Sequence, residues 1–421
     1  MIGRSGEQRN PKRSSDHPIS RSPDSCDLGH CTRRPVLLTL MLARDGMGTQ
    51  GTTQLFQIQS QAAPPERPRS RSKKRLARRA GRDYSQALRH AFQFAFLALN
   101  AYIGALFYLW VRGIETGRHF AGVARPAGVE GWLPIAGLMN LKYLLVTETI
   151  PRIHPAAVFL LLAFLCISFL FRKAFCSWLC PIGTLSEYLW RAGRKLMGRN
   201  FALPRWLDIP LRGLKYLLLG FFIWAIASMS SEAIAGFLQS PYGLVADVKM
   251  LNFFRHLGET GAIVLTFLGI ASLLVQNFWC RYLCPYGALL GLASLFSPTR
   301  VRRDSNACID CGKCAAACPA SLPVDKLRSV ISAECTGCLE CVAACPARDA
   351  LWAGPVGLRS KPRLPAWALA AGVAVLFLGI IAYAKVTGHW NSEISAQVYA
   401  DVVPHADQAS HPMPGDPALG R

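Results

Sequence analysis

Long stretches without a charge constrain this chain most. Residues 91–111 read AFQFAFLALNAYIGALFYLWV, 21 positions with no Asp, Glu, Lys or Arg. Residues 155–171, 260–280 and 364–384 are similar, and a further run, 216–231, is shorter at 16 residues. A helix of about 20 apolar residues crosses a bilayer core of about 30 Å. A helix is required because hydrocarbon offers no water to backbone N–H and C=O groups. The shortest run reaches span length if Lys215 snorkels to the interface. We therefore expect five transmembrane helices. The alternative is a large soluble helical core, which rarely leaves uncharged stretches of this length.

The chain is 51% hydrophobic yet carries a net charge of +22. Both hold because the two kinds of residue are segregated. Arg and Lys number 18 in residues 1–90, nine in 172–215 and 11 in 279–363. The segments between hold five (112–153) and two (Lys249, Arg255), and the last stretch holds Lys385 and Arg421. This alternation follows the positive-inside rule, which sets the N-terminus, the 172–215 loop and the 298–352 segment on the cytoplasmic side. The tail after residue 386 is then outside. The cations read as topology signal and contact with anionic lipid. No basic module interleaved with aromatics suggests nucleic acid.

Two cysteine strings carry the chemistry. They are Cys308-x-x-Cys311-x-x-Cys314-x-x-x-Cys318-Pro319 and Cys335-x-x-Cys338-x-x-Cys341-x-x-x-Cys345-Pro346. This is the ligand spacing of a bacterial-type ferredoxin with two 4Fe–4S clusters. Three cysteines wrap one cubane, and the fourth points to the other cluster. One set is then Cys308, Cys311, Cys314 and Cys345, and the second is Cys335, Cys338, Cys341 and Cys318. Structural zinc is the alternative, but zinc sites usually pair two separated two-ligand knuckles. A disulfide framework is not expected in a reducing compartment.

A repeat organises the apolar part. Phe175-Cys176-Ser177-Trp178-Leu179-Cys180-Pro181-Ile182-Gly183 matches Trp279-Cys280-Arg281-Tyr282-Leu283-Cys284-Pro285-Tyr286-Gly287. Each copy follows an apolar run, so a pseudo-twofold along the membrane normal would bring both pairs together. Cysteines at i and i+4 share a helix face. The proline is expected to end or kink that helix, and the glycine to turn the chain sharply. Cys176, Cys180, Cys280 and Cys284 could form a four-thiolate site for a metal or cluster, or two redox dithiols, or simply pack as small buried residues. Cys166, alone in mid-span, reads as an apolar filler.

Paired Cys-x-x-x-Cys-Pro motifs followed by a double ferredoxin string resemble the NapH/NosR/CcoG family of membrane polyferredoxins. The likeness covers roughly residues 90–350, and Arg125-Pro126-Ala127-Gly128-Val129-Glu130-Gly131-Trp132-Leu133-Pro134-Ile135 resembles NosR-type proteins most. The resemblance implies a bacterial inner-membrane protein that moves electrons between the quinone pool and a respiratory reductase. It would be an electron-transfer subunit, with a periplasmic or membrane redox partner, rather than a stand-alone enzyme. The alternative is a maturation factor for a metal centre, reducing or delivering copper through the Cys-x-x-x-Cys-Pro cysteines. A flavin domain before the first span, and a large outer domain after the fifth, are family features not seen in this sequence.

The sequence thus predicts an α-helical membrane protein of about five spans with an inserted α+β dicluster ferredoxin domain. Its parts are a disordered basic region (1–85), a four-span domain (86–297), the ferredoxin domain (298–352), a linker with the fifth helix (353–386) and a tail (387–421). Met41 or Met47 is an alternative start, and Cys26 and Cys31 are expected to have no role. Pro298 and Arg300-Val301-Arg302-Arg303 should form the hinge to the insert. Glu148, His154, Lys249, His256 and Glu259 lie at outer span ends. They are expected to be solvated rather than to handle quinone protons. His90, His154 and His256 do not face each other within spans as haem ligands would. His389, His405, His411 and Met413 are expected on a solvated tail rather than around copper.

Overall fold

The computed structural model describes residues 83–118, 123–201, 203–356 and 362–412. The N-terminal expectations, including Cys26 and Cys31, and Met413 lie outside these residues. The first apolar run forms α1 (Ser85–Thr116). A short 3-10 turn, Ala127–Trp132, leads into α2 (Pro134–Thr147) and α3 (Pro155–Phe171). The first cysteine motif holds α4 (Ala174–Trp178) and starts α5 (Pro181–Met197). Then follow α6 (Arg205–Ser228), the short α7 (Ser231–Gln239) and α8 (Pro241–Leu244), α9 (Ala246–Arg255) and α10 (Glu259–Leu274). The second motif is a π-helical turn, Trp279–Leu283, before α11 (Pro285–Leu295).

The ferredoxin-like insert has one short helix per string, α12 (Lys313–Ala316) and α13 (Glu340–Ala343), between strands β1 (Thr299–Arg303) and β2 (Leu351–Pro355). The strands pair antiparallel, Thr299 opposite Pro355 and Arg303 opposite Leu351. This sheet closes the ends of the insert side by side. The basic run is therefore a strand and not a hinge. Arg303 donates to the Leu327 carbonyl and pairs with Asp310. The last long helix is α14 (Ala366–Val386), and α15 (Ala396–Val402) follows.

Among the described residues, three helices, α1, α6 and α14, are long and apolar enough to cross a membrane, and a fourth span results if the bent pair α9–α10 counts as one. Their faces are largely exposed: Leu217 is 72% exposed, Trp224 68% and Val375 69%. Such a belt is unfavourable in water and favourable in lipid. The remaining expected span, α3, has 17 residues and sits at the centre of the core, where Leu160, Phe164 and Ile167 meet Phe175, Trp178, Val373 and Phe377. A helix apolar all round is buried over most of its surface, and on α3 Cys166 and Phe169 remain exposed. The run 260–280 also breaks, because helix α10 ends at Leu274. Lys215 does not snorkel. It is fully buried on α6 and pairs with Glu334 of the insert at 2.5 Å.

The tail is solvated only in part: His405 and His411 are exposed, but three of its apolar residues are not. Tyr399, Val403 and Ala406 are buried against Phe107, Val111, Val129 and Val248. Lys249 donates to the carbonyls of Ala406 and Ala409, both at 2.9 Å. This strap covers the end of the helices opposite to the cysteine motifs.

Candidate metal centre

Both cysteine strings are folded by the same local device. Asp310 and Gly312 flank Cys311, and Gly337 and Leu339 flank Cys338. All four have left-handed backbones, with φ between 55° and 69°. Alternating left- and right-handed residues turn successive amides inward and form a concavity suited to an anionic centre. Cys314 and Cys341 then lie buried in α12 and α13. With Cys318, Cys335 and Cys345 they pack in one small core beside Val301, Val324 and Val330.

The thiols group across the strings. Those bearing on Cys314 are Cys345 and Cys308. Cys335 bears on Cys318, Cys318 bears on Cys338, and Cys338, Cys335 and Cys318 bear on Cys341, with Cys314 of the other set after them. Burial pushes the Cys338 thiol up to about 12. Bare thiolates so placed would be poorly tolerated, so the donor set calls for a soft, positively charged metal centre. A cavity lined by Cys318, Cys335, Cys338 and Cys341 lies between them. Among the described residues, no three His, Cys, Asp or Glu side chains form a group able to hold a single metal ion. A cubane spreads its thiolates over separate irons and needs them farther apart. The donor chemistry fits a 4Fe–4S cluster.

The membrane motifs differ from expectation in detail. The helical turns do end just before the prolines, at Trp178 and Leu283, but Pro181 and Pro285 also start new helices at the first position, where a missing N–H costs nothing. The second cysteine caps each new helix. Cys180 Sγ accepts the Gly183 N–H at 3.4 Å, and Cys284 Sγ accepts the Gly287 N–H at 3.2 Å. Each motif closes with a wide bond to the residue five earlier, Cys180 N to Phe175 O and Cys284 N to Trp279 O. Gly183 does not turn the chain. It allows close approach, since a Cβ there would lie 2.1 Å from the Cys176 carbonyl.

Cys176, Cys180, Cys280 and Cys284 come together at one place. Cys180 and Cys284 bear on Cys176, and all three bear on Cys280. Lys173 and Lys215, both buried, stand beside them and share Glu334 at 3.8 and 2.5 Å. The four thiols line a cavity of about 1210 Å³ whose walls include Ile103, Trp132, Leu160 and Phe222. The inner end of the same cavity is bordered by Cys338, Thr336 and Pro319 of the insert.

The sequence reading missed the charged lattice around this end. Arg89 is fully buried and grips both Glu187 oxygens at 2.6 Å and Glu340 at 2.7 Å. Arg191 joins the same two carboxylates. Gln93 donates to Glu187 and to the Ser177 carbonyl. A signal was available: Gln86, Arg89 and Gln93 recur on one face of an otherwise apolar helix.

Of the polar residues expected at span ends, Glu148, His256 and Glu259 are exposed. His154 is buried. Its Nδ1 is 3.3 Å from Glu130, whose carboxylate also receives Arg125, and its Nε2 is 2.8 Å from the Gly243 carbonyl. Among the tail histidines, His405 contacts the Asp401 carbonyl and His411 packs on Phe237 and Tyr242. Cys166 is exposed on α3.

Comparison with known proteins agrees with this geometry. A family model described as a 4Fe-4S binding domain matches residues 153–200 and 258–303, one stretch around each membrane motif. A 4Fe-4S dicluster domain matches residues 300–346. YccM of Escherichia coli (strain K12), provisionally named an electron transport protein, is 49% identical over 326 residues, which are 77% of this chain and 91% of YccM. The regulatory protein NosR of Pseudomonas aeruginosa is 32% identical over 35% of this chain and 20% of its own length. The ferredoxin-type protein NapH of Escherichia coli (strain K12) is 28% identical over 35% of this chain and 48% of its own. No solved structure matches the chain.

Proposed function

From the chain's membership of the family of 4Fe–4S-binding, ferredoxin-type membrane electron-transport proteins that includes YccM, NapH and NosR, we propose that it relays electrons between the quinone pool and a respiratory reductase. Two 4Fe–4S clusters, each able to take or give one electron, would be held by Cys308, Cys311, Cys314 and Cys345 and by Cys335, Cys338, Cys341 and Cys318. Cys176, Cys180, Cys280 and Cys284 would hold a further metal or cluster. Lys173 and Lys215 supply the positive charge that an anionic metal–thiolate group requires.

The observation that carries this reading is the shared cavity. The membrane-edge quartet and Cys338 of the insert border one apolar space large enough for an isoprenoid quinone. Its walls exclude water and orient an apolar molecule toward the cysteines. In this reading five helices span the membrane, with α3 and α9–α10 as the two short or bent spans. The N-terminal region and the insert face the cytoplasm, and the strap faces the periplasm. The domain limits at 85, 297 and 386 follow from the same topology, whereas the insert runs past 352 to Pro355, where β2 ends.

A quinol analogue added to the purified protein tests the reading. We expect it to reduce EPR-visible clusters. If dithionite reduces them and the quinol does not, the quinone link is lost. Copper bound to wild type but not to a Cys176, Cys180, Cys280 and Cys284 to Ser variant, with iron unchanged, would favour the metal-handling role.

A further inference from the structure

The two ferredoxin cysteine sets are not equivalent in their surroundings. Contacts from the membrane helices converge on residues 319–321 and 332–340, which adjoin or include Cys318, Cys335 and Cys338. Ser177 Oγ, next to Cys176, donates to the Thr336 carbonyl at 2.6 Å, and Trp178 Nε1 donates to the Gly337 carbonyl at 3.2 Å. Gln86 of α1 donates to the Cys338 carbonyl at 3.0 Å. Arg172 reaches the Ser332 carbonyl, Lys215 reaches Glu334, and Arg89 reaches Glu340. The second repeat adds Asn277 to the Pro319 carbonyl at 3.4 Å and Arg281 to Ser321 Oγ at 3.2 Å. Both membrane motifs thus meet the same cysteine set, although its members come from both strings.

The other set faces away. Cys311 is exposed, and its neighbours Asp310 and Lys313 are exposed with it. None of Cys308, Cys311, Cys314 or Cys345 lines the large cavity, whereas Cys338 does.

We infer that the Cys318–Cys335–Cys338–Cys341 set is the membrane-side port of the relay and the Cys308–Cys311–Cys314–Cys345 set is its water-side port. This order rests on the ligand sets of the preceding section. Each electron entering at one port leaves at the other, so the protein undergoes no net oxidation or reduction. Gln86, Ser177 and Trp178 act as positioning residues. Their donors lock the Cys338 loop onto the Cys176 motif.

The test is EPR on the whole protein in detergent, reduced with dithionite, with and without dysprosium–EDTA as a soluble relaxing agent. Two cluster signals are expected from the insert, identified as those that persist in a Cys176, Cys180, Cys280 and Cys284 to Ser variant. One should gain several-fold in half-saturation power and the other should stay nearly unchanged. Two substitutions that keep every cysteine assign them. Lys313→Glu should lower the midpoint potential of the sensitive signal alone. Gln86→Leu should shift the potential of the protected signal alone. Equal sensitivity of both signals, or protection of the one that responds to Lys313→Glu, overturns the order. A single signal of one cluster overturns the ligand sets beneath it. Failure of quinol to reduce either cluster, with the two sensitivities still unequal, leaves the order standing and removes only the quinone reading.

Discussion

The ferredoxin strings and the membrane-edge quartet are both sets of closely spaced cysteines, but they are assembled differently. Each string is shaped locally, by left-handed residues on either side of its second cysteine and a one-turn helix after it. The quartet has no such local frame. Cys176 and Cys280 are 104 positions apart and meet only because α3, α6, α10 and α11 pack as they do. Local assembly tolerates change in the surroundings, whereas assembly by packing depends on every close contact.

The sharpest way to break this comparison is to remove one ligand from the insert and read both groups. Cys341→Ser should cost about four irons of the insert, read as iron and sulfide per protein, and leave quartet thiol reactivity as it was. Equal loss at both sites would mean that the two form one unit. Next in size is Lys215→Met, which strips a buried partner from Glu334. We expect a loss of about 3 kcal/mol or more, seen as a lower unfolding temperature in detergent, together with weaker docking of the insert. An unchanged temperature would show that Lys173 alone holds Glu334. Gly183→Ala places a Cβ against the Cys176 carbonyl and should cost on the order of 3 kcal/mol. It should disturb the quartet while the EPR of the insert persists. Gly287→Ala is the control, because the nearest atom there is the Cys284 sulfur at 3.5 Å; it should be nearly neutral. Apart from that control, the smallest is Gly312→Ala, a left-handed site with nothing within 4 Å, worth about 1 kcal/mol. Gly337→Ala should cost more, since its Cβ would stand 2.9 Å from the Phe171 carbonyl. Identical losses at both glycines would mean that the insert does not rest on α3.

Much of the fold was legible because its signals are short-range. The uncharged runs marked α1, α6 and α14, and the two strings marked the insert. The errors arose where a residue's role depends on a distant partner. Lys215 looked like a snorkelling lysine because its partner Glu334 is 119 positions away. The run 299–303 looked like a hinge because its pairing strand begins only at Leu351. Pro181 and Pro285 looked only like helix stops, since sequence does not distinguish the end of one helix from the start of the next. The tail looked wholly solvated because the groove that receives Tyr399 and Val403 is built from α1 and the loops before α2 and α9.

The sequence by itself determined which segments must be helical in lipid, which cysteines have cluster spacing, and that the membrane part is duplicated. Those properties depend on hydration and on steps of a few residues along the chain. Only the tertiary structure decided that α3 is the central helix, that both repeats dock on the Cys318–Cys341 side of the insert, and that buried lysines face the quartet. These are outcomes of packing between elements far apart in sequence, where close contact and charge compensation select one arrangement from many.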